Sequence, residues 1–366
     1  MQNVFIWGTG YYASEFAARV IMALDNLEEC RLIGFVDNAT EKNFFLGYPV
    51  YQAEVLKRYA NVVVILAVLD QGYKDQIKKQ IYQILPTVCC VEDIYWPLKK
   101  LVKRNNFATT DKDIKETIKY WDNNPLTVYN QFIKEEEVFD EVFFDDKIQL
   151  PYIWFRTIDG GLTKMFFPND YNFVHKDGAR YVYNLMAEQV DDSPHLYVKD
   201  NHRVCEGDSI VDAGVCEGNF SLKYINVASH IYLFENDPEW IKPLYYSFLP
   251  VKEKVTFVGK GVSNVSSDKL CRIDDIVKRK VDFLKMDIEG WEIDALKGAE
   301  KTLLDNNVKS SICCYHKKDD ERLIKNMFES IGYKTTTSSG YMLFVYGDDT
   351  WKYGDFRKGI IYANKK

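Results

Sequence analysis

The chain has 366 residues, enough for two domains, because a single hydrophobic core stops growing beyond about 250 to 300 residues. Its formal net charge of −7 argues against a nucleic-acid partner, since binding to phosphates requires a local excess of Lys and Arg. The longest apolar run, residues 62–69, is too short to cross a bilayer, and we expect no cleavable leader before the first strand. We therefore expect a protein of the cytoplasm.

Cysteine use points to a reducing compartment. The eight cysteines include the neighbouring pairs Cys89–Cys90 and Cys313–Cys314, which lie in apolar, strand-like runs. No two cysteines have the C-x-x-C spacing of zinc or redox motifs. We interpret them as small buried hydrophobic side chains rather than as disulfides or metal ligands.

Residues 1–96 alternate short apolar strands with helices. Strands are predicted from Val4, over 32–36, over 62–68 and over 87–91, and helices over 14–24, between the second and third strands, and over 73–85. Alternation of this kind is typical of a parallel sheet with helices on both faces. The sequence therefore predicts a doubly wound, Rossmann-like domain.

Residues 97–168 are predicted to be a helical connector followed by a β-hairpin. The connector has apolar residues at helical spacing around Ile114, Ile118 and Trp121. The hairpin joins 152–157 to 162–167 through an Asp-Gly turn, which readily supplies positive φ angles. Its many aromatic side chains are interpreted as core or subunit contacts rather than as a platform for sugar rings. These residues are Tyr152, Trp154, Phe155, Phe166, Phe167, Tyr171 and Phe173.

Residues 169–366 return to the α/β pattern after a short helical lead-in. Strands are predicted over 209–213, 231–235, 255–258, 283–286, 311–315, 333–336 and 342–346. Ser338-Ser339-Gly340 separates the last two strands, which predicts an antiparallel hairpin at the end of a parallel sheet.

Two strand ends in this part carry the residues of a ligand site. The loop Asp212-x-Gly214-x-x-x-Gly218 joins a strand to a helix, and glycines there let the backbone approach a ligand. Glu235 ends the next strand, where an acid accepts hydrogen bonds from both hydroxyls of a ribose. Three residues between the glycines make the loop wider than a dinucleotide fingerprint, which favours S-adenosylmethionine. Close packing of the strand on the helix is the alternative explanation for the glycines.

These motifs resemble those of the FkbM family of S-adenosylmethionine-dependent O-methyltransferases over roughly residues 170–346. The segments are Gly207-Asp208-Ser209-Ile210-Val211-Asp212-Ala213-Gly214, Phe234-Glu235-Asn236-Asp237-Pro238, and Leu284-Lys285-Met286-Asp287-Ile288-Glu289-Gly290-Trp291-Glu292 followed by Leu296-Lys297-Gly298-Ala299. The third segment is specific to the family, whereas the first two occur in class I methyltransferases generally. The resemblance implies that residues 169–366 adopt the class I methyltransferase fold.

The resemblance also implies which residues contact the cofactor. They are Asp212, Gly214, Glu217, Gly218, Glu235, Asn236, Val262 and Asp287. Among them, the Asp212 loop is implied to contact the methionine part, Glu235 the ribose, and the turn 261–264 the adenine edge. Many members have a small or amide residue in place of Glu217 and an Asp in place of Asn264, so the adenine contacts are the least defined.

The predicted catalytic residues follow two further strands. Asp287 and Glu289 come directly after the strand over 283–286, and His316 follows the strand over 311–315. Adjacent parallel strands lie about 5 Å apart, so these side chains are expected to share one cleft. His316 is the predicted general base, because imidazole is largely neutral at cytoplasmic pH, with Asp287 orienting it or binding the acceptor hydroxyl. The same side chains could instead hold Mg²⁺ or Mn²⁺, which is not favoured, and Glu289 could cap the turn that it begins.

The N-terminal domain has a glycine turn of its own. Gly8-Thr9-Gly10 follows the first strand and Asp37 ends the second, which copies a dinucleotide-binding fingerprint. The domain is similar to small Rossmann-like modules attached to bacterial enzymes that modify nucleotide sugars and surface glycans. This similarity implies a nucleotide-sugar or docking site near Gly8, Gly10 and Asp37. The alternative is an empty Rossmann-like fold that serves dimerisation or orients the partner domain.

The expected function is O-methylation of a carbohydrate hydroxyl, on a nucleotide sugar or a glycan, by a homo-oligomer. One alternative is a catalytically inactive cofactor-binding or docking protein of a glycan-modifying pathway. Another is an NAD-dependent sugar oxidoreductase, which lacks a visible hydride-transfer site. Its Tyr-x-x-x-Lys pair would be Tyr95 and Lys99, and Pro97 is expected to prevent the helix that would align them.

Overall fold

The structure, a computed structural model, describes residues 1–86, 90–124, 126–128, 141–169, 185–186, 188–191 and 193–365. Within them, the strands are β1 (Gln2–Trp7), β2 (Cys30–Val36), β3 (Phe44–Phe45), β4 (Tyr48–Tyr51), β5 (Val62–Leu66), β6 (Cys90–Asp93), β7 (Phe143–Asp145), β8 (Leu150–Arg156), β9 (Leu162–Phe166), β10 (Ser209–Ala213), β11 (His230–Phe234), β12 (Val255–Val258), β13 (Gly261–Val262), β14 (Leu270–Cys271), β15 (Phe283–Met286), β16 (Lys309–Cys313), β17 (Tyr333–Thr337) and β18 (Ile360–Lys365). The α-helices are α1 (Tyr11–Asp25), α2 (Gln71–Ile84), α3 (Trp96–Asn105), α4 (Lys112–Tyr120), α5 (Asn219–Lys223), α6 (Pro238–Phe248), α7 (Ile273–Ile276), α8 (Glu292–Lys297), α9 (Glu300–Asp305), α10 (Asp320–Ser330) and α11 (Asp348–Tyr353). Short 3₁₀ helices span Ala53–Arg58 and Leu249–Lys254.

The chain divides into two compact units. Unit 1 comprises Met1–Val128 and Leu343–Phe356, and unit 2 comprises Tyr129–Met342 and Arg357–Lys366. The chain therefore leaves unit 2 after β17, contributes α11 to unit 1, and returns to unit 2 before β18. Within the described ranges, no helix is long and apolar enough to span a membrane.

Unit 1 is built on a six-stranded sheet in the order β3-β4-β2-β1-β5-β6, with parallel pairing except between β3 and β4. Alternate side chains of β1 are buried on opposite faces. Val4 and Ile6 pack with residues of α1, whereas Phe5 and Trp7 pack with residues of the first 3₁₀ helix. Burial on both faces is typical of a parallel sheet, so the predicted doubly wound arrangement is confirmed. Of the strand predicted over 87–91, the first three residues lie outside the described residues.

Two local predictions for unit 1 are wrong. The stretch after β2 forms the hairpin β3–β4 and a 3₁₀ helix rather than an α-helix, because Leu46 and Gly47 both adopt positive φ, the geometry of a two-residue hairpin turn. Pro97 does not break α3. It lies in the first turn, where its missing N–H is not needed, and the Lys99 N–H still donates to the Tyr95 carbonyl at 2.9 Å.

Unit 2 contains a seven-stranded sheet in the order β12-β11-β10-β15-β16-β18-β17. The first five of these strands are parallel, and β18 is antiparallel to both β16 and β17. This is the predicted class I methyltransferase arrangement, which is confirmed. Ala213 pairs with Phe234 on one side and with Met286 on the other, so the residues that follow these three strands meet at one edge of the sheet.

The second strand of the terminal hairpin was assigned to the wrong residues. β17 pairs with β18, not with residues 342–346. The apolar side chains of Leu343, Val345 and Trp351 are buried in the core of unit 1 instead, with Trp351 fully buried. Apolar residues around a turn predict burial, but they do not indicate in which core the burial takes place.

The predicted hairpin over 152–167 is confirmed as β8 and β9, which form a small antiparallel sheet with β7. The aromatic side chains of Phe155, Phe166 and Phe167 are buried as core residues, whereas Trp154 is half-exposed. The Phe166 N–H donates to Ser247 Oγ at 2.9 Å, which ties β9 to α6 within unit 2. Two further aromatic residues of this stretch, Tyr171 and Phe173, lie outside the described residues.

Candidate active site

Asp287 lies at the centre of a cluster of polar side chains at the carboxyl ends of β15 and β16. Its Oδ2 accepts a hydrogen bond from Tyr197 Oη at 2.7 Å and lies 3.2 Å from His195 Nε2. Its Oδ1 accepts a hydrogen bond from Tyr315 Oη at 3.3 Å and lies 3.4 Å from His316 Nε2. Two tyrosine hydroxyls therefore donate to this carboxylate, and an imidazole nitrogen lies beside each of its oxygens.

Neighbouring positive charges and hydrogen bonds keep Asp287 ionised. Burial raises the pKa of this carboxyl, but the hydrogen bond from His195 and the positive charges of His195, His316 and Lys285 hold the pKa well below its usual range. Asp287 is therefore an ionised carboxylate between two imidazole rings. In this geometry it suits the orientation of a base better than the direct binding of a ligand.

His316 lies between carboxylates on both of its nitrogens. Nδ1 is 3.0 Å from Glu292 Oε1, while Nε2 is 3.4 Å from Asp287 and 3.6 Å from Glu289 Oε2. Burial lowers the pKa of His316, but the hydrogen bond and charge of Glu292, followed by the charges of Asp287 and Glu289, raise it above the ordinary value. The structure thus brings the three predicted catalytic residues together and adds Glu292.

Glu292 organises the turn that carries these residues. It is fully buried, and its Oε1 accepts the N–H groups of Ile288 at 3.0 Å and Gly290 at 3.3 Å. Glu289 and Gly290 both adopt positive φ, which turns the exposed Glu289 side chain away from the core. The turn is therefore capped by Glu292 and not by Glu289.

His195 was not singled out in the sequence, yet it is the second imidazole on Asp287. Its Nδ1 lies 3.3 Å from Glu188 Oε2 and its Nε2 lies 3.2 Å from Asp287 Oδ2. Burial lowers the pKa of His195, but the hydrogen bonds to Asp287 and Glu188 and their charges raise it to about 9. His195 lies in the irregular lead-in before β10, where neither a strand end nor a periodic pattern marks it.

Asp212 turns into the protein rather than toward the edge of the sheet. Its Oδ1 forms an ion pair with Lys285 Nζ at 3.1 Å, and its Oδ2 accepts a hydrogen bond from Ser221 Oγ at 2.7 Å. Lys285 also donates to the Gly214 carbonyl. A Cβ on Gly214 would overlap the Asp287 carbonyl oxygen, so this glycine is required for packing β10 against β15. Asp212 and Gly214 therefore stabilise the position of the loop through the Lys285 ion pair and the close packing of β10 on β15.

Glu235 keeps part of its acceptor capacity. Its Oε2 accepts the Cys216 N–H and its Oε1 accepts the Asp237 N–H, both at 2.8 Å. About two of its four lone-pair positions remain, which is the number that a ribose with two hydroxyls requires. The Glu235 residue thus fits the sugar of S-adenosylmethionine while also holding the glycine loop.

The other predicted cofactor residues flank Glu235. Gly218 adopts a left-handed conformation at the start of α5. Glu217 before it is buried, and burial raises the pKa of the Glu217 carboxyl to about 7, although a hydrogen bond from Cys216 acts to lower it. Val262 lies in β13 with its side chain in the core of unit 2. The Asn236 amide lies 3.4 Å from the position of a Cβ on Gly261, beside that strand.

The glycine turn of unit 1 is held by its own acid. Asp37 Oδ2 accepts the Thr9 N–H at 3.0 Å and the Thr9 hydroxyl at 2.7 Å, and its Oδ1 accepts the Ala39 N–H. Gly8 has φ +117°, and a Cβ there would lie 2.9 Å from the carbonyl oxygen of Ala67, directly after β5. Gly10 has no atom within 4 Å of such a Cβ. Asp37 therefore stabilises the turn by accepting these hydrogen bonds.

Two groups among the described residues have three potential metal ligands within 4.8 Å of one another. One is His195, Asp287 and Cys313, and the other is Asp287, Glu292 and His316. In both groups the imidazole nitrogens lie 3.0–3.4 Å from carboxylate oxygens of neighbouring residues.

Residues 250–334 match the family model of the methyltransferase FkbM domain. Among solved structures, a methyltransferase FkbM from Methylobacillus flagellatus KT is similar, with 16% identity and a TM-score of 0.45 over 99% of this chain and 90% of that chain. A putative methyltransferase from Streptococcus mutans in complex with SAH matches 46% of this chain and 99% of its own, with 11% identity and a TM-score of 0.33. A SAM-dependent O-methyltransferase from Thermotoga maritima matches 44% of this chain and 60% of its own, with 16% identity and a TM-score of 0.31. No curated protein sequence matches the chain.

Unit 2 has the class I methyltransferase arrangement of strands, and part of it matches a methyltransferase family model. The matched segment contains Asp287, Glu292 and His316, so the polar cluster at the ends of β15 and β16 belongs to it. The predicted resemblance to the FkbM family is confirmed for this segment. Residues 250–334 are therefore the part of the chain that is similar to the methyltransferase FkbM domain.

Proposed function

We propose that this protein is an O-methyltransferase that uses S-adenosylmethionine to methylate a hydroxyl of a carbohydrate, either a nucleotide sugar or a glycan. The observation that carries the proposal is the position of His316 at the end of β16, held through Nδ1 by Glu292 and facing Asp287 with Nε2. An imidazole held in this way is suited to remove a proton from a poor acid such as a hydroxyl.

The cofactor is proposed to lie across the ends of β10 and β11. Glu235 would accept hydrogen bonds from the ribose hydroxyls, while Asn236 and the backbone around Val262 would border the adenine. Gly218 and Glu217 would border the amino-acid end, and Asp212 would support this loop from below. When bound, S-adenosylmethionine supplies a methyl group on a sulfonium, which passes to the hydroxyl oxygen as the carbon–sulfur bond breaks.

The residues of the chain would manage the proton released in this reaction. The hydroxyl proton passes to Nε2 of neutral His316, and the Glu292 and Asp287 carboxylates then stabilise the imidazolium. These carboxylates also raise the pKa of His316 in the free protein. A cationic ligand beside the site would lower that pKa again and so favour the neutral, proton-accepting form.

The carbohydrate acceptor is proposed from the similarity of residues 1–96 to modules of glycan-modifying enzymes. A nucleotide-sugar or docking site around Gly8, Gly10 and Asp37 is part of the same proposal, although Asp37 already accepts two hydrogen bonds from Thr9. A homo-oligomer in the cytoplasm, without a bound metal, completes it.

The test is methyl transfer from radiolabelled S-adenosylmethionine to a panel of nucleotide sugars and glycans. We expect labelled product with the wild-type protein and a loss of at least about 100-fold in rate with His316→Ala, because a positioned base contributes about 10² to 10⁴. The product SAH should raise the melting temperature of both proteins. A wild-type melting temperature that SAH leaves unchanged would refute the cofactor site.

A cofactor-binding protein without catalysis is the second candidate. The observation that favours it is that Tyr197 and Tyr315 donate hydrogen bonds to Asp287 and His195 Nε2 lies 3.2 Å from it, which reduces the acceptor capacity left on that carboxylate for a substrate hydroxyl. Binding of SAH without turnover on any acceptor of the panel would support this candidate over the first.

A further inference from the structure

His195 belongs to the same cluster as the proposed base, although it lies outside the segment that matches the family model. Its side chain is only 5% exposed and lies between two carboxylates, Glu188 on Nδ1 and Asp287 on Nε2. A ring with an acceptor on each nitrogen donates from both only as imidazolium. The geometry of His195 is thus that of a buried cation placed against Asp287.

We propose that His195 is a positioning residue that fixes the Asp287 carboxylate and, through its charge, sets the proton affinity of His316. The inference rests on the proposed role of His316 as general base. His195 does not touch the proposed ligands. It acts through Asp287, whose second oxygen faces His316.

The remaining groups around His195 Nε2 carry no charge that would replace this effect. Tyr315 Oη lies at 3.2 Å, Tyr197 Oη at 3.4 Å and Cys313 Sγ at 3.6 Å. Burial raises the pKa of Tyr197 and that of the Cys313 thiol well above their ordinary values, so both are neutral. Lys285 is a further cation that acts on Asp287, but Asp212 forms an ion pair with it.

The direction of the effect follows from charge balance. With His195 protonated, the negative charge of Asp287 is partly compensated, and His316 experiences a weaker attraction for its own proton. Without the His195 charge, Asp287 would stabilise the His316 imidazolium more strongly, in addition to Glu292 and Glu289. The base would then become neutral only at higher pH, and less of it would accept a proton under physiological conditions.

The experiment is an NMR titration of the full-length protein with ¹³C-labelled histidine, in which each of the five histidines is assigned by substitution. In His195→Gln, the midpoint of the His316 titration should move to higher pH by about 1 pH unit, since a nearby charge shifts a pKa by about 1 to 3. Glu188→Gln, which removes the outer partner of His195, should move it in the same direction by a smaller amount.

His202→Gln is the matched control. His202 and His195 are both only 4% exposed, but the ring of His202 contacts the uncharged Asn364 and Ser311. Burial lowers the pKa of His202 to about 4, so its substitution removes no charge at neutral pH. The His316 midpoint should therefore be unchanged in this variant.

An unchanged His316 midpoint in His195→Gln would overturn the proposal, and so would an equal shift in the His202→Gln control. If His195→Gln does not fold, Glu188→Gln decides in its place by the same criterion. The titration needs neither cofactor nor acceptor, so its outcome is independent of methyl transfer. Absence of turnover would count against the proposed function, whereas an absent shift would count against the role of His195 alone.

Discussion

The two units carry similar glycine loops but different strand ends. In unit 1, Gly8-Thr9-Gly10 follows β1, and Asp37 after β2 fastens it through Thr9. In unit 2, the Asp212–Gly218 loop follows β10, and Glu235 after β11 fastens it through the Cys216 N–H. Up to this point the two units use the same device, a carboxylate from the neighbouring strand that accepts backbone N–H groups of the loop.

The difference lies at the ends of the next two strands. In unit 1, Asp70 and Asp93 follow or end β5 and β6 and cap the N–H groups of nearby residues. In unit 2, the corresponding positions carry Asp287 and His316. His195, Glu188 and Glu292 lie around them. The two units therefore differ in the titratable groups beyond the glycine loop, and the proposed reaction depends on those groups.

The largest expected effect separates reaction from binding in unit 2. His316→Ala should lower kcat by about 10² to 10⁴ because it removes the proposed base, while the affinity for SAH measured by calorimetry should change little. Glu235→Ala should instead weaken SAH binding more than it lowers kcat, because the ribose loses its acceptor. Exchange of these two patterns between the variants would show that the roles are reversed.

A second experiment compares the two glycine loops directly. Gly214→Ala should destabilise the protein by about 3 kcal/mol or more, because the added Cβ would overlap the Asp287 carbonyl and the backbone has φ +77°. Gly10→Ala should change the free energy of unfolding by less than about 1 kcal/mol, because nothing lies within 4 Å of the added Cβ. Urea denaturation measures both, and equal losses would contradict the packing role assigned to Gly214.

The buried Glu217 has no counterpart in the loop of unit 1. Burial raises its pKa from 4.5 to about 7 in the folded protein, so the stability that it contributes when protonated is lost as the pH rises from 4.5 through 7. Glu217→Gln should therefore raise the free energy of unfolding by about 2 kcal/mol at about pH 8 and have little effect at about pH 4. A stabilisation that does not depend on pH would show that charge burial is not its cause.

The smallest effect is expected in unit 1. Asp37→Ala removes the acceptor of the Thr9 N–H and hydroxyl in a partly exposed turn, which should lower the free energy of unfolding by about 1 kcal/mol. Asp37→Asn retains one acceptor oxygen and serves as the control, with about half of that loss. If both variants bind a nucleotide sugar as the wild type does, the site proposed around Gly8, Gly10 and Asp37 is absent.

Much of the candidate site could be predicted from local sequence. Short apolar runs predicted the strands, and the residues directly after β15 and β16 were expected to be neighbours because parallel strands end at one edge. The structure has His316 Nε2 at 3.4 Å from Asp287 Oδ1. His195 and Glu188 could not be found in this way, because they lie in an irregular segment whose path depends on the surface that it packs against.

Sequence alone determined the alternation of strands and helices, the glycine turns and the acids and imidazole at the strand ends, since these depend on residues close together in the chain. Tertiary structure decided which partners those side chains have. It directed Asp212 inward onto Lys285, placed Glu292 beneath the turn, and gave residues 343–356 to unit 1. The physical reason is that burial and charge act through space, so the pKa of a group depends on neighbours that are distant in the chain, as His195 and Asp287 are.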